Sequence, residues 1–183
     1  GVAVPSEDFT IANLLYQTSG FTNTESKFPS AEAGMSLEDY VKALSKCDLA
    51  FYPSTQYAYA NANYNILGLL IENISGQRYQ DFMTKKILSP LGLSNTYPDP
   101  SAAKETGSIV TGSRLAFLQS HPYDIPVNTA SIPAGYIQSD IKDMSRWLQV
   151  HMGSVKVTDQ FTRLMSKSHI PDKSNAVYTD TYY

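Results

Sequence analysis

The segment YPSTQYAYANANYNILGLLIENIS, residues 52–75, constrains the fold of this chain more than any other stretch. Its first half alternates aromatic, polar and small residues, whereas Ile or Leu fills six of the nine positions from 66 to 74. This pattern predicts a helix from about Asn63 to Ser75, ended by Gly76. Because its apolar residues lie nearly all round, we expect this helix to be central to the core.

Several other segments combine helical periodicity with capping residues. Thr10 is a candidate N-cap for a helix from Ile11 to about Thr18, and Gly20 stands where a left-handed C-terminal residue belongs. Ser36 and Asp39 approximate a capping box at the start of SLEDYVKALSK. Further helices are expected in YQDFMTKKILSPLGL, ended by Pro90, and in SDIKDMSRWLQVHM and TDQFTRLMSK.

The remaining sequence is irregular. Residues 94–138 are rich in proline and glycine and read as loops, with short strands such as GSIVT, and residues 171–183 form a polar, tyrosine-rich tail. About six helices and minimal strand predict a mainly α fold, organised as one helical domain over residues 1–183.

Composition excludes several classes of function. Only 17% of residues are charged, the net charge is −3 and no basic stripe is present, which argues against a nucleic-acid partner. No apolar run approaches the ~20 residues that span a bilayer, so no membrane segment is expected. Cys47 is the only cysteine, so an internal disulfide is impossible, and a half-buried structural thiol is the favoured interpretation.

Four landmarks, in this order, resemble the serine β-lactamase and penicillin-binding-protein-like hydrolases, in the branch of class C β-lactamases, esterases and D-aminopeptidases. FTIANLLYQTSGF is similar to the family's helix-plus-TSG segment, and YPSTQYAYANANYNILGLLIENISGQRYQDFMTKKILSPLGLSNTY to the stretch that carries its Tyr-x-Asn motif. IPAGYIQSDIKDMSRWLQ resembles a third family segment, and the terminal YTDTYY stands where the family approaches its next strand. The resemblance implies the helical lobe of a β-lactamase/transpeptidase-like fold, with the α/β lobe missing.

The resemblance assigns catalytic positions to Tyr59 and Asn61. It implies that Tyr59 takes the proton of the nucleophile and later returns one, and that Asn61 binds a substrate amide and holds a lysine in place. A free phenol has a pKa near 10, so it is a base at neutral pH only beside cations or an amine that takes the proton onward. Taken from their spacing alone, Tyr59 could equally be a half-buried structural tyrosine and Asn61 a helix cap.

Two further family motifs lack a convincing match. The nucleophile motif, Ser-x-x-Lys, precedes the TSG segment in the family, and here the spacing occurs only later, at Ser101–Lys104 and Ser139–Lys142. Ser101 follows PDP in a loop, and Ser139 corresponds to an ordinary N-cap of a structural helix. Neither is therefore the expected nucleophile, and the isolated chain is predicted to be inactive.

The histidines do not supply the third motif. His151 begins the letters HMG, but that segment ends a predicted helix and reads as a C-terminal cap. His121 and His169 stand alone, with no metal-ligand spacing, so neither a metal nor a cofactor is expected.

These observations leave two hypotheses open. The first is a piece of a bacterial, extracytoplasmic serine hydrolase that acts through an acyl-enzyme on D-amino-acyl peptides, β-lactams or small esters. The alternative is a non-catalytic helical module that binds peptide or glycan through Tyr- and Asn-rich loops. Because the resemblance implies a lobe without the nucleophile helix that packs against it, we expect an apolar groove beside the helix at Ile66–Ile74, filled by self-association, by tail residues or by rearrangement.

Overall fold

The computed structural model describes residues 9–23, 34–107, 109–124 and 126–168. Its α-helices are α1 Ile11–Leu15, α2 Leu37–Leu44, α3 Asn61–Ser75, α4 Tyr79–Met83, α5 Ser89–Leu91, α6 Pro100–Glu105, α7 Ile132–Gly135, α8 Ile141–His151 and α9 Asp159–Ser168. A π-helical turn at Thr84–Leu88 joins α4 to α5, and a 3-10 turn at Thr129–Ser131 precedes α7. In the described residues the only sheet is an antiparallel pair, β1 Gly112–Ala116 and β2 Gln119–Tyr123. The predicted mainly α fold, without an α/β lobe, is confirmed for this part of the chain.

The first helix begins as predicted but ends early. The Thr10 side chain accepts a hydrogen bond from the Asn13 N–H, and Asn13 completes a capping box. The helix ends at Leu15 rather than near Thr18, because Gln17 already has a left-handed backbone (φ 59°). Gly20 has the predicted positive φ (93°), although it lies beyond the helix end, and a Cβ there would also lie 2.3 Å from the Phe51 carbonyl oxygen.

Pro90 does not end the helix in which it lies, contrary to expectation. Helical backbone runs through α4, the π turn and α5, and stops at Gly92, which is left-handed with φ 69°. Within a helix, proline lacks an N–H and its ring crowds the carbonyl one turn back. The wider π turn just before Pro90 alters the distance between the ring and that carbonyl. Glycine, which has no Cβ penalty at positive φ, supplies the stop.

The strands lie next to the predicted segment rather than within it. GSIVT covers residues 107–111, whereas β1 starts at Gly112 and pairs with β2 through a turn at Phe117 and Leu118. The β-branched residues before Gly112 have strand propensity but no partner strand among the described residues. Pairing, and not propensity, therefore decides where the strand begins.

Two apolar clusters form the core. The first gathers residues from the TSG region, α2 and the start of α3: Phe21, Tyr40, Leu44, Leu49, Ala60, Ala62 and Ala130. The second joins the end of the α4–α5 helical run to α8: Leu88, Leu91, Leu93 and Val150. The first cluster lies directly beneath the entrance to α3.

Helix α3 is not buried all round, contrary to its prediction. Its buried residues are Ala62, Asn63, Asn65 and Gly68, whereas Ile74 is 78% exposed. Gly68 permits close packing on α7, since a Cβ at this position would lie 2.3 Å from the Pro133 ring. The helix is therefore seated through small and amide side chains, and its large apolar residues lie half-exposed on another face.

Polar contacts fix the start of α8. The N-cap is Asp140, whose carboxylate accepts hydrogen bonds from the Asp143 N–H and the Asn95 side chain, each at 2.8 Å. These bonds hold the pKa of Asp140 below its ordinary value, the Asp143 backbone contributing most. The buried Asp143 carboxylate in turn accepts from the Asn95 N–H (2.7 Å) and the Thr96 hydroxyl (2.8 Å). The loop that follows α5 is thereby tied to α8.

No helix in the described ranges is long and apolar enough to cross a membrane.

Candidate active site

The structure brings Tyr59 and Asn61 together at the N-terminus of α3. Tyr59 precedes the helix in extended chain and is 56% exposed, and Asn61 is the first residue of α3. The Tyr59 hydroxyl donates a hydrogen bond to the Asn61 side-chain oxygen at 3.0 Å. This contact uses the acceptor end of the carboxamide, so its N–H donors can face a second group.

The structure contradicts one of the two structural alternatives, the assignment of Asn61 as the helix cap. The N-cap of α3 is Ala60, which has no side chain able to cap, and not Asn61. The Asn61 N–H is instead satisfied from outside the helix by the Asn23 side-chain oxygen, at 3.0 Å. Tyr59 is 56% exposed, so the alternative of a partly buried structural tyrosine stays open.

A buried polar network lies beneath the pair. The Gln17 side-chain oxygen accepts from the Ala60 N–H at 3.0 Å and from the Asn63 amide. The Asn63 oxygen accepts from the Ser19 hydroxyl at 2.6 Å, and that hydroxyl accepts from the Phe21 N–H at 3.2 Å. Asn63 and Ser19 are fully buried and Gln17 nearly so, so the network satisfies polar groups that water does not reach.

Sequence reasoning missed this network. Its members come from the QTSG segment and from the repeated Asn of YANAN, two of the four landmarks. The signal in the sequence was an amide side chain, Asn63, at the start of a helix that is otherwise apolar. A buried amide at such a position requires a hydrogen-bond partner.

The two Ser-x-x-Lys spacings do not form a nucleophile site. Ser139 precedes the Asp140 N-cap, and its hydroxyl contacts the Thr96 hydroxyl at 2.9 Å and the Asp140 carbonyl rather than Lys142. Lys104 forms an ion pair with Asp124 at 3.2 Å instead of turning to Ser101. In the described ranges neither pair has the serine–lysine contact that the chemistry needs.

The histidines take structural positions where they are described. His151 lies in the last turn of α8 with its ring edge-on to Trp147, 4.5 Å between centroids, and Gly153 follows with φ 70°. His121 is exposed on β2, and His169 lies outside the described residues. Within those residues, no group of three or more His, Cys, Asp or Glu side chains could hold a metal ion. Cys47 is half-buried, and its thiol donates to the Ala43 carbonyl at 3.6 Å.

An apolar groove runs beside α3, the helix next to which the sequence predicted one. Its volume is about 420 Å³. The walls come from α1, α3, α4 and α7, and the lining residues include Ile11, Leu15, Leu67, Ile71, Ile74 and Phe82. This groove accounts for the half-exposed apolar face of α3.

The chain is similar to known proteins over most of its length. The family model described as "Beta-lactamase" matches residues 3–182. Protein flp of Staphylococcus aureus (strain COL) is 26% identical over 165 residues, which is 90% of this chain and 32% of flp. Unguisins hydrolase ungD' of Aspergillus campestris (strain IBT 28561) is 29% identical over 148 residues, covering 78% of this chain and 28% of that protein. The solved structure of a β-lactamase/D-alanine carboxypeptidase from Pseudomonas syringae superimposes with a TM-score of 0.71 at 21% identity, covering 88% of this chain and 43% of that one.

The fold defines this chain as the mainly helical part of a serine-hydrolase fold. The chain belongs to the β-lactamase family. It spans about a third of the length of the curated relatives it matches, and less than half of the Pseudomonas syringae structure.

Proposed function

We propose that this chain supplies the Tyr-x-Asn motif of a serine acyl-transfer hydrolase. Tyr59 is the proton-transfer residue, and Asn61 binds the substrate amide and holds the lysine of the nucleophile motif. The observation that carries this proposal is the exposed Tyr59 phenol, hydrogen-bonded to Asn61 and set on a buried polar network. Such a phenol can reach a reacting group while its backbone stays fixed.

The substrates we propose are D-amino-acyl peptides, β-lactams or small esters, processed through an acyl-enzyme. The name of the Pseudomonas syringae neighbour includes both β-lactamase and D-alanine carboxypeptidase. The Aspergillus campestris relative is named as a hydrolase. From the family resemblance we further propose a bacterial, extracytoplasmic setting.

The 183-residue chain on its own should not form an acyl-enzyme. This expectation is supported by the described residues, in which neither serine of the two Ser-x-x-Lys spacings contacts its lysine. Labelling with a fluorophosphonate or a fluorescent penicillin tests both halves of the proposal. The full-length protein should label at one serine and the 183-residue chain should not. Labelling of the shorter chain would contradict its inactivity, and failure of the full-length protein to label with either probe would contradict the proposed function.

A non-catalytic peptide- or glycan-binding module is the second candidate. The observation that favours it is a row of exposed tyrosines at alternate or nearby positions before α3, namely Tyr52, Tyr57 and Tyr59. Exposed aromatic rings stack on sugars and peptides. Saturable binding of peptidoglycan fragments without turnover, unaffected by Tyr59→Phe, would favour this candidate over the hydrolase.

Self-association through the apolar groove remains a prediction. Size-exclusion chromatography and binding of an apolar dye measure it on the 183-residue chain. A monomer would contradict self-association, and a monomer that also binds no dye would contradict the exposed apolar groove itself.

A further inference from the structure

The backbone on both sides of Tyr59 is held by one residue. The Gln17 backbone carbonyl accepts from the Ala58 N–H at 2.9 Å, and its side-chain oxygen accepts from the Ala60 N–H at 3.0 Å. In extended chain, alternate N–H groups point to the same side. Gln17 therefore brackets Tyr59 from one edge of the segment.

A second residue holds the opposite edge. The Asn23 N–H donates to the Tyr59 carbonyl at 3.3 Å, and the Asn23 side-chain oxygen accepts from the Asn61 N–H at 3.0 Å. Residues 58–61 are thus hydrogen-bonded on both edges by groups about 40 positions earlier in the chain.

The burial pattern shows what this arrangement does to the side chains. Ala60 is extended (φ −145°, ψ 121°) and fully buried, whereas Tyr59 before it is exposed. Successive side chains of extended chain point to opposite faces. With Ala60 fixed against the core, the Tyr59 ring is directed outward to the side of Asn61.

Gln17 itself adopts an unusual conformation for this purpose. It is a buried, non-glycine residue with φ 59°, in the left-handed region that side chains disfavour. Residues held in such conformations by their surroundings are concentrated at functional sites. Here the residue with the left-handed backbone is also the one that presents both of its carbonyl oxygens to the same segment.

We propose that Gln17 and Asn23 are positioning residues of the acyl-transfer site, fixing the direction of the Tyr59 phenol from opposite edges of its segment. This inference rests on the proposed function for its kinetic consequence but not for its structural one. The side-chain oxygens of both residues are acceptors, so Gln17→Glu and Asn23→Asp keep an acceptor there, whereas Gln17→Met and Asn23→Leu remove these side-chain bonds and leave the two backbone bonds in place.

The structural test places 3-fluorotyrosine at position 59 of the full-length protein and records its ¹⁹F resonance. Gln17→Met should shift and broaden the signal, Gln17→Glu should restore it, and the exposed control Gln56→Met should leave it unchanged. The same label at Tyr57 should not respond to Gln17→Met or Gln17→Glu. An unaltered position-59 signal in folded Gln17→Met would overturn the proposal.

The kinetic test uses the same variants with an ester or D-alanyl peptide substrate. Gln17→Met should lower kcat by up to about 100-fold, because small misplacements of reacting groups have effects of that size. KM should change by less than about twofold, as expected for a group that acts only in the transition state. Equal kcat in Gln17→Met and wild type would overturn the proposal. If the wild type has no turnover, the proposed function fails and the ¹⁹F result alone decides the positioning role.

Asn23 keeps the test decisive if Gln17→Met does not fold. Asn23 is exposed, so Asn23→Leu can be made without opening the core. It should shift the position-59 signal and lower kcat less than Gln17→Met, with recovery in Asn23→Asp. If Asn23→Leu showed neither of these effects, the two-sided arrangement would be overturned.

Discussion

Two regions of this molecule expose aromatic rings, and they are held in opposite ways. Around Tyr59, hydrogen bonds from Gln17 and Asn23 fix the backbone, and the buried Asn63 network lies below. At the tip of the β1–β2 hairpin, Phe117 is 98% exposed and Leu118 94% exposed, both at positive φ (51° and 62°). The hairpin is paired to itself in the part of the chain that is described, with Lys104–Asp124 as an exposed ion pair near its base.

The difference teaches that exposure alone does not identify a site. Both regions include non-glycine residues with left-handed backbone, but of Gln17, Phe117 and Leu118 only Gln17 has long-range hydrogen bonds within the described residues. The tip follows the positive-φ pattern of a type I′ turn, for which Asn and Gly are the usual residues. A functional side chain on this fold is therefore recognised by what fixes its backbone.

The largest effect on stability should come from the network below Tyr59. Asn63→Leu removes the acceptor of the Ser19 hydroxyl and the amide that donates to Gln17, leaving buried polar groups without partners. We expect the free energy of unfolding to fall by about 3 kcal/mol. Urea denaturation followed by circular dichroism measures it.

Asn73→Leu is the matched control, because Asn73 is an exposed amide on the same helix. It should change the free energy of unfolding by less than about 0.5 kcal/mol. Similar losses in both variants would remove the distinction between the network and an ordinary helix surface.

The hairpin tip should respond in the opposite direction. Replacing Phe117 with Asn and Leu118 with Gly supplies residues that tolerate positive φ, so the hairpin should gain about 1 kcal/mol of local stability. Amide hydrogen exchange across β1 and β2 should slow about fivefold. Phe117→Leu, which keeps a disfavoured residue at that position, should have no such effect. Faster exchange in the double variant would show that the Phe–Leu tip makes stabilising contacts of its own.

The smallest effect concerns the N-cap of α8. Since hydrogen bonds lower the pKa of Asp140 in the folded state, its stabilising contribution is fully present above the pKa of an unfolded aspartate. That contribution should be lost as the pH falls through the folded-state pKa. Asp140→Asn should therefore lower stability at pH 7 and narrow the difference in stability between pH 7 and pH 3, and an unchanged pH dependence in urea denaturation would contradict this.

The sequence was a reliable guide where local chemistry decides the structure. Thr10 and Ser36 cap their helices as predicted, and Gly76 ends α3 with φ 65°. The positions of Tyr59 and Asn61 beside one another at the start of a helix also followed from the motif.

What could not be predicted depends on partners distant in the chain. The bonds from Gln17 join residues more than 40 positions apart, and Gly68 is explained only by the ring of Pro133. Pro90 and the GSIVT segment were misread because a π turn and a strand register override residue preference.

The most direct test of the central claim compares Tyr59→Phe with Tyr57→Phe in the full-length protein. Both remove one hydroxyl from an exposed tyrosine of the same segment, but only Tyr59 bonds to Asn61 and lies between the Gln17 contacts. The account predicts that Tyr59→Phe lowers kcat for acyl transfer by about 100-fold or more, the size of general acid–base effects, while Tyr57→Phe stays within about twofold of wild type. Equal turnover in the two variants would contradict the assignment of proton transfer to Tyr59.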